Sequence, residues 1–337
     1  MKAAVFKEKN GQLEIVEKPI PEPAKGWVRI KVHSCGVCHS DFVVKSGAFG
    51  NPFPRTPGHE VIGVIDKLGD GVDATRFELG KLVGVGWYGG RGENGCGTCD
   101  NCREDQWIFC THSMVCGIHY DGGYAEYMTC PEDALVFVPE GMDPIESAPL
   151  LCAGITVYNS FRNLNIKSGS LVGVQGIGGL GHLGIQFVKK MGYEVIAMSG
   201  GSGKKELAKE LGAAHYVDMS KDYIDEMKKI GSVKCILVTA PNAQNIQGML
   251  ESLGINGKLV LLALLPEPFN ANAGTLIGGN KSIVGWASGD SRDLHDTLVF
   301  AKNNNVKPMV KSFPLEQARE ALDNIGDARF RHVIKLQ

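Results

Sequence analysis

The chain has 337 residues, with 35 Lys and Arg against 37 Asp and Glu, a formal net charge of −2 and 43% hydrophobic residues. This is ordinary globular composition, long enough for two domains. Near-neutral charge without a long basic run excludes nucleic-acid or membrane-surface binding by bulk electrostatics. The longest apolar stretch, Leu259 to Leu265, falls far short of the roughly 20 residues that cross a bilayer. Met1 to Lys9 alternates and carries charge where a signal peptide needs an apolar core, so a cytoplasmic protein is expected.

In chain order, short strand-like segments come first: Lys2 to Phe6, Leu13 to Val16, Trp27 to His33, Val61 to Leu68, Leu82 to Val85 and Ala134 to Val138. Clusters of Pro and Gly separate them, so the first 150 residues read as mostly β. From about residue 155 the pattern turns to apolar strands alternating with helices. Ser170 to Gln175, Glu194 to Met198, Lys234 to Val238 and Lys258 to Ala263 are the expected strands, and Leu183 to Met191, Lys204 to Leu211 and Ala243 to Leu253 the helices. This alternation predicts a parallel sheet covered on both faces. After about 285 come helices over Arg292 to Asn303 and Leu315 to Asn324 and a last strand, Arg331 to Leu336. The fold class is therefore α/β beside a β-rich part.

Gly176-Ile177-Gly178-Gly179-Leu180-Gly181 follows the strand Leu171 to Gln175 and opens a helix near His182. In that setting the first Gly allows a sharp turn, the second lets a pyrophosphate approach, and the third lets helix and strand pack, with the helix N-terminus facing the phosphates. The next strand ends in Ser199-Gly200-Gly201-Ser202-Gly203-Lys204-Lys205, a run without the carboxylate that would bind a ribose 2′-hydroxyl. Ser199, Ser202 and Lys204 stand where a 2′-phosphate is held, so NADP(H) is favoured over NAD(H). The alternative is a solvated turn with Ser202 as the helix cap.

Ten cysteines in a cytosolic chain point to metal rather than to disulfides. Cys96, Cys99, Cys102 and Cys110 lie within a Gly-rich loop that starts at Gly89, and four thiolates at this spacing close a tetrahedron around Zn²⁺ with no open position, as a structural site does. A scattered second set, Cys38, His59 and Cys152, has the composition of a catalytic zinc site with one position free. Spacing alone leaves this trio open, because buried Cys and His are common core residues.

Several pieces together resemble the zinc-dependent medium-chain alcohol dehydrogenases, close to the yeast-type and cinnamyl-alcohol-dehydrogenase-like branches. They are Gly36-Val37-Cys38-His39-Ser40-Asp41, Gly58-His59-Glu60, the four-cysteine loop, Asp121-Gly122-Gly123-Tyr124-Ala125-Glu126-Tyr127, Cys152-Ala153-Gly154-Ile155-Thr156 and Gly176 to Gly181, in the family's order over nearly the whole chain. The resemblance implies a discontinuous, β-rich GroES-like catalytic domain, residues 1–154 and 286–337, and a Rossmann dinucleotide-binding domain, residues 155–285. It implies two zinc ions per chain, with Cys38, His59 and Cys152 holding the catalytic one. It further implies that Ser40 bridges the substrate hydroxyl and the cofactor ribose as first proton acceptor, that Asp41 orients a zinc ligand, and that Glu60 sits beside the metal. His39 and Arg331 would contact the pyrophosphate and Thr156 would lie near the nicotinamide. Relatives often carry a His five positions after the first zinc ligand, where this chain has Val43, so the proton must leave by another route.

The function expected is zinc-dependent hydride transfer between NADP(H) and a primary alcohol or aldehyde, in a homodimer or homotetramer. A polyol dehydrogenase of the same superfamily is a nearby rival, although those usually carry a carboxylate where this chain has Cys152. A zinc-stabilised, non-catalytic binding module is a remote one. Phe49, Phe53, Trp87, Tyr88, Met114 and Trp286 are candidates for an apolar substrate pocket.

Overall fold

The computed structural model describes residues 1–91, 96–327 and 329–336, so residues 92–95 of the loop before the four cysteines lie outside the described residues. Two compact units are formed, one by residues 1–155 with 288–337 and the other by residues 156–287.

The first unit is built on the strand Trp27–Gly36, whose β-branched residues Val28, Ile30 and Val32 point into the core while alternate positions stay half-exposed. At its end the alternation stops, and Ser34, Cys35 and Gly36 are all buried. The sheet runs in the order Val310–Pro314, Arg331–Lys335, Trp27–Gly36, Val61–Leu68, Leu82–Val85, Leu135–Phe137, and Tyr127–Pro131 also pairs with Trp27–Gly36. The chain's end thus returns to its beginning: Val333, Ile334 and Lys335 lie antiparallel to Gly36, Cys35 and Ser34. This pairing sets Arg331 close to the buried end of the central strand.

Two small corrections apply to the expected elements here. The helix expected over Leu315 to Asn324 is a 3₁₀ turn, Leu315–Gln317, followed by a short helix, Ala318–Asp323. The strands Tyr127–Pro131 and Val310–Pro314 were not anticipated, since each contains or ends in Pro, which lowers strand propensity and suits only sheet margins.

The second unit carries a six-stranded parallel sheet in the order His215–Asp218, Glu194–Ser199, Leu171–Gln175, Val233–Val238, Leu253–Leu261, Ser282–Gly285. Its central strands are mostly apolar and buried along their length, Lys234 aside in Val233–Val238, because both faces are covered. The order reverses beside Leu171–Gln175, which marks a crevice at the carboxyl ends of the strands. The helix expected over Ala243 to Leu253 begins as a 3₁₀ turn and ends at Ser252, because Leu253 already pairs with Val233. The following strand tolerates Asn256 at φ +60 by a shift of register.

The glycine-rich turn after Leu171–Gln175 is sterically dictated. Gly176 sits at φ +90, a backbone conformation that favours glycine. A Cβ on Gly181 would overlap the Gly176 carbonyl oxygen and stand 2.8 Å from Thr239 Oγ1, whereas nothing lies within 4 Å of a Cβ on Gly178. The third glycine is thus demanded by packing, and the second faces open space of the kind a ligand needs. The substitution Gly181→Ala should destabilise the chain by about 1–3 kcal/mol, the usual cost of overpacking, and weaken dinucleotide binding. Gly178→Ala should leave stability near the parent value while weakening binding. Urea unfolding and cofactor titration of both variants check this.

Candidate active site

Cys38 lies between the strand Trp27–Gly36 and the helix Asp41–Ser46. The backbone holds it there through Gly36 N–H to Glu60 O, 3.0 Å, and Val37 N–H to His332 O, 2.9 Å. His59 and Glu60 lead into the strand Val61–Leu68, and Cys152 ends the 3₁₀ turn Ala148–Leu151. These three places converge: ligand atoms of Cys38, His59, Glu60 and Cys152 all lie within 4.8 Å of one another, and the two sulfurs are 3.8 Å apart. Nε2 of His59 and Oε2 of Glu60 are buried without a hydrogen-bond partner, an expense that a native interior rarely bears unless a ligand completes the group.

The surroundings are anionic. Burial alone would lower the His59 imidazole, but the Asp41 carboxylate and the Cys38 sulfur outweigh it and raise it to about 10. The same field favours any cation at this point. The Cys152 thiol, and then His59, hold Cys38 well below the usual thiol range. Burial raises the Glu60 carboxyl to about 7, although the Arg331 guanidinium donates to its Oε1 and opposes the shift. Asp41 Oδ1 is 3.6 Å from His59 Nδ1, and Ser40 Oγ is 3.6 Å from Cys38 Sγ.

The second cluster, Cys96, Cys99, Cys102 and Cys110, also fits within 4.8 Å, with Cys96 Sγ 3.8 Å from Cys102 Sγ and 3.6 Å from Cys110 Sγ. A tetrahedron with Zn–S bonds of about 2.3 Å has edges of about 3.8 Å, so both thiol sets match the ion in size and chemistry. Backbone N–H groups, chiefly that of Cys99 at 3.3 Å, lower Cys96 to about 5, which suits a thiolate ligand. Arg91 Nη1 lies 3.8 Å from Cys102 Sγ.

Residues 24–140 match the alcohol dehydrogenase GroES-like domain and residues 179–303 the zinc-binding dehydrogenase domain. The alcohol dehydrogenase notN of an Aspergillus species is 39% identical over 338 residues, spanning 99% of this chain and 98% of its own. The chain belongs to the zinc-containing medium-chain alcohol dehydrogenases. Among solved structures, an NAD-dependent alcohol dehydrogenase superposes with a TM-score of 0.90 at 25% identity, covering 100% of both chains. CAD from Helicobacter pylori, in complex with NADP(H), gives 0.86 at 27%, covering 99% of this chain and 97% of its own. This alcohol dehydrogenase has two zinc sites and uses a nicotinamide cofactor.

Within this dehydrogenase the first unit brings together Cys38, Ser40, Asp41, His59, Glu60, Cys152 and Arg331. His39 is exposed beside them, and Val43 lies on the helix Asp41–Ser46. Arg331, expected at a pyrophosphate, is buried and paired with Glu60. Of the aromatic candidates, Trp87 packs edge-on against the His59 ring at 5.0 Å, and Phe49, 53% exposed, meets Trp87 at 6.1 Å. Tyr88 is instead buried with its hydroxyl on Asp133, 3.1 Å, while Phe53 and Met114 pack on the core. Trp286 belongs to the other unit.

The second unit holds Thr156 and the Gly176 to Gly181 turn, and Lys204 Nζ donates to Ile177 O within that turn at 2.8 Å. Ser199 ends its strand opposite Asp218, while Ser202 is exposed and does not cap the helix Lys205–Glu210, whose N-cap is Lys204. The run after Ser199 has no acid of its own, but Asp218 Oδ1 reaches in from the neighbouring strand to accept Gly201 N–H at 2.7 Å. Reading along one strand could not reveal a carboxylate supplied across the sheet.

Sequence reasoning also missed how the four-cysteine lobe is fastened. Trp107 lies between two guanidinium groups, Arg91 at 4.2 Å and Arg292 at 3.8 Å, and these are tied to Asp133 and to Asp105 and Asp290 respectively. No local motif announces a contact between residues so far apart in the chain. Cys99→Ala should lose one of two zinc ions and lower the melting temperature by roughly 5 °C or more, because metal binding there is folding free energy. Zinc content and a thermal scan check it.

Proposed function

We propose that this alcohol dehydrogenase interconverts a primary alcohol and its aldehyde, carrying an apolar or aromatic group, with NADP(H) as the preferred cofactor. One observation carries the reading: the buried cluster of Cys38, His59 and Cys152 has an unpartnered His59 Nε2, and Trp87 and Phe49 border it on the apolar side. Cys38, His59 and Cys152 would hold the catalytic zinc, and Cys96, Cys99, Cys102 and Cys110 the structural one.

Zinc, when bound, supplies a Lewis acid that stabilises negative charge developing on the substrate oxygen. The nicotinamide, when bound, accepts or returns the hydride. The chain's residues do the rest. Asp41 faces His59 Nδ1 and thereby fixes the ring so that Nε2 is the free, basic nitrogen. Ser40, half-buried at the same turn, would relay the hydroxyl proton, giving up its own as it accepts the substrate's, and with Val43 in place of a His that proton would leave to water. Glu60 neighbours the ligands and is restrained by Arg331. Trp87 and Phe49 orient the apolar group, and Gly178 with the helix N-terminus after Gly181 receives the pyrophosphate. His39 would lie at the phosphates and Thr156 at the nicotinamide. A homodimer or homotetramer in the cytoplasm is the assembly the family resemblance favours.

For the cofactor, Ser199, Ser202 and Lys204 supply hydroxyl and ammonium donors for a 2′-phosphate, and charge-assisted bonds are about twice as strong as neutral ones. A second reading, NAD(H), draws on Asp218 beside Gly201. Its Oδ1 is engaged by Gly201 N–H and by the N–H and hydroxyl of Ser220, and its Oδ2 faces Lys221 at 3.9 Å; the absence of an acid at the end of the strand Glu194–Ser199 itself keeps the first reading ahead.

Three measurements test these proposals. Cys152→Ala should lose the catalytic zinc and reduce kcat/KM by more than about 100-fold, beyond the loss typical of outer-shell partners, while the structural zinc stays. Near-normal activity with that zinc gone would refute the ligand assignment. The ratio of kcat/KM for NADPH over NADH should exceed unity in the parent and fall roughly tenfold or more in Ser199→Asp. Equal use of both cofactors by the parent would make the Ser199 to Lys204 cluster merely a solvated turn. A series of aldehydes of graded size in the same assay should favour apolar or aromatic ones.

A further inference from the structure

The segment Asp121 to Tyr124 has no part in the chemistry above, yet it grips the catalytic cluster from two sides. The Tyr124 ring is completely buried and its hydroxyl donates to Asp41 Oδ2 at 2.8 Å. The same oxygen accepts the N–H of Cys38 at 3.0 Å. With Oδ2 held twice, the carboxylate cannot rotate without breaking both bonds, and Oδ1 is left facing His59 Nδ1 at 3.6 Å with no hydrogen-bond partner of its own. A buried phenol needs an acceptor and a buried carboxylate needs donors, so each group satisfies the other.

The second grip is on the backbone just before His59. Gly122 N–H donates to Thr56 O at 2.8 Å, Gly123 N–H to Gly58 O at 3.0 Å and Tyr124 N–H to Pro57 O at 3.1 Å. Asp121 Oδ1 takes Thr56 N–H at 3.0 Å and Arg55 Nη1 at 3.2 Å. Gly58 sits at φ +103, and a Cβ there would stand 2.5 Å from Tyr124 Cδ1 and 2.8 Å from Cys35 Sγ, so the tyrosine ring lies directly on the glycine preceding the ligand.

We infer that Tyr124, on the strap Asp121 to Tyr124, is a positioning residue that aims His59 at the catalytic metal by fixing the Asp41 carboxylate. The inference rests on the proposed Cys38, His59 and Cys152 zinc site. It differs from a mere packing role in requiring the hydroxyl rather than the ring.

The holoenzyme with Tyr124→Phe keeps the ring and loses only the oxygen. Zinc release to a chromophoric chelator reads both metals in one trace. One zinc per chain should leave about 10- to 100-fold faster than in the parent, the size typical for outer-shell partners, while the four-cysteine zinc leaves at its parent rate. In an Asp41→Ala background the same Tyr124→Phe change should alter the release rate less than about twofold, because the carboxylate through which it acts is gone. Cobalt placed at the catalytic site should change its visible spectrum in Tyr124→Phe. Unchanged release of both ions overturns the inference. So does equal acceleration of both, or an undiminished effect without Asp41, since either marks general loosening. If Cys152→Ala leaves the faster-released zinc in place, the metal-site reading fails rather than the role of Tyr124.

Discussion

Asp41 and Glu60 are completely shielded from water, and the thiol groups of Cys38 and Cys152 share the same space. Removing such acidic groups from solvent costs several kcal/mol each even after relaxation, and that cost falls only where cations or donors meet them. Much of the first unit can be understood as the supply of those donors. Arg331 comes from the last strand, which is why the chain's end must pair beside Gly36. Tyr124 and the Cys38 N–H serve Asp41. Asp41 Oδ1 is left facing His59 Nδ1, while His59 Nε2 and Glu60 Oε2, also unserved, converge with the sulfurs on one point, and there a divalent cation offsets the remaining charge.

The two metal sites meet the same chemistry with opposite exposure. Cys96 and Cys99 are only half-buried, and their lobe is held by backbone N–H groups, by Arg91 at Cys102 and by the Arg91–Trp107–Arg292 stack. Four sulfurs fill the tetrahedron, so nothing remains for a substrate. At Cys38, His59 and Cys152 three strong ligands leave a place that Glu60 approaches and that Trp87 borders. Closure makes the first site structural, and openness within an apolar wall makes the second suited to turnover.

How much of this the sequence discloses depends on whether the determinant is local. The parallel sheet and the Gly176 to Gly181 turn are legible because strand runs, helix periodicity and turn sterics are written in neighbouring residues. The four-cysteine loop is legible for the same reason. The trio Cys38, His59 and Cys152 gains meaning only from the family resemblance, since 114 positions separate its two cysteines. The pairing of Arg331 with Glu60 and the reach of Asp218 to Gly201 are invisible because each is a product of strand order, and the guanidinium contacts of Trp107 because they join a loop, a 3₁₀ turn and a helix far apart in the chain. Tyr88 looks like a pocket residue by position but turns inward, since its hydroxyl has Asp133 to bond.

Asp218 shows why cofactor preference is the subtlest of these questions. A carboxylate beside the loop after Ser199 repels a 2′-phosphate, and the three donors from Ser220 and Gly201 that converge on its Oδ1 hold it below the usual carboxylate range, so it stays charged while it braces the loop. Lys204, anchored on Ile177 O, brings an opposing positive charge to the glycine-rich turn itself. The balance therefore turns on orientation rather than on composition. An acid whose Oδ1 is held by Gly201 N–H stiffens the loop that carries Ser199 and Ser202, and it sets a negative charge on that loop against the positive one that Lys204 brings to the turn.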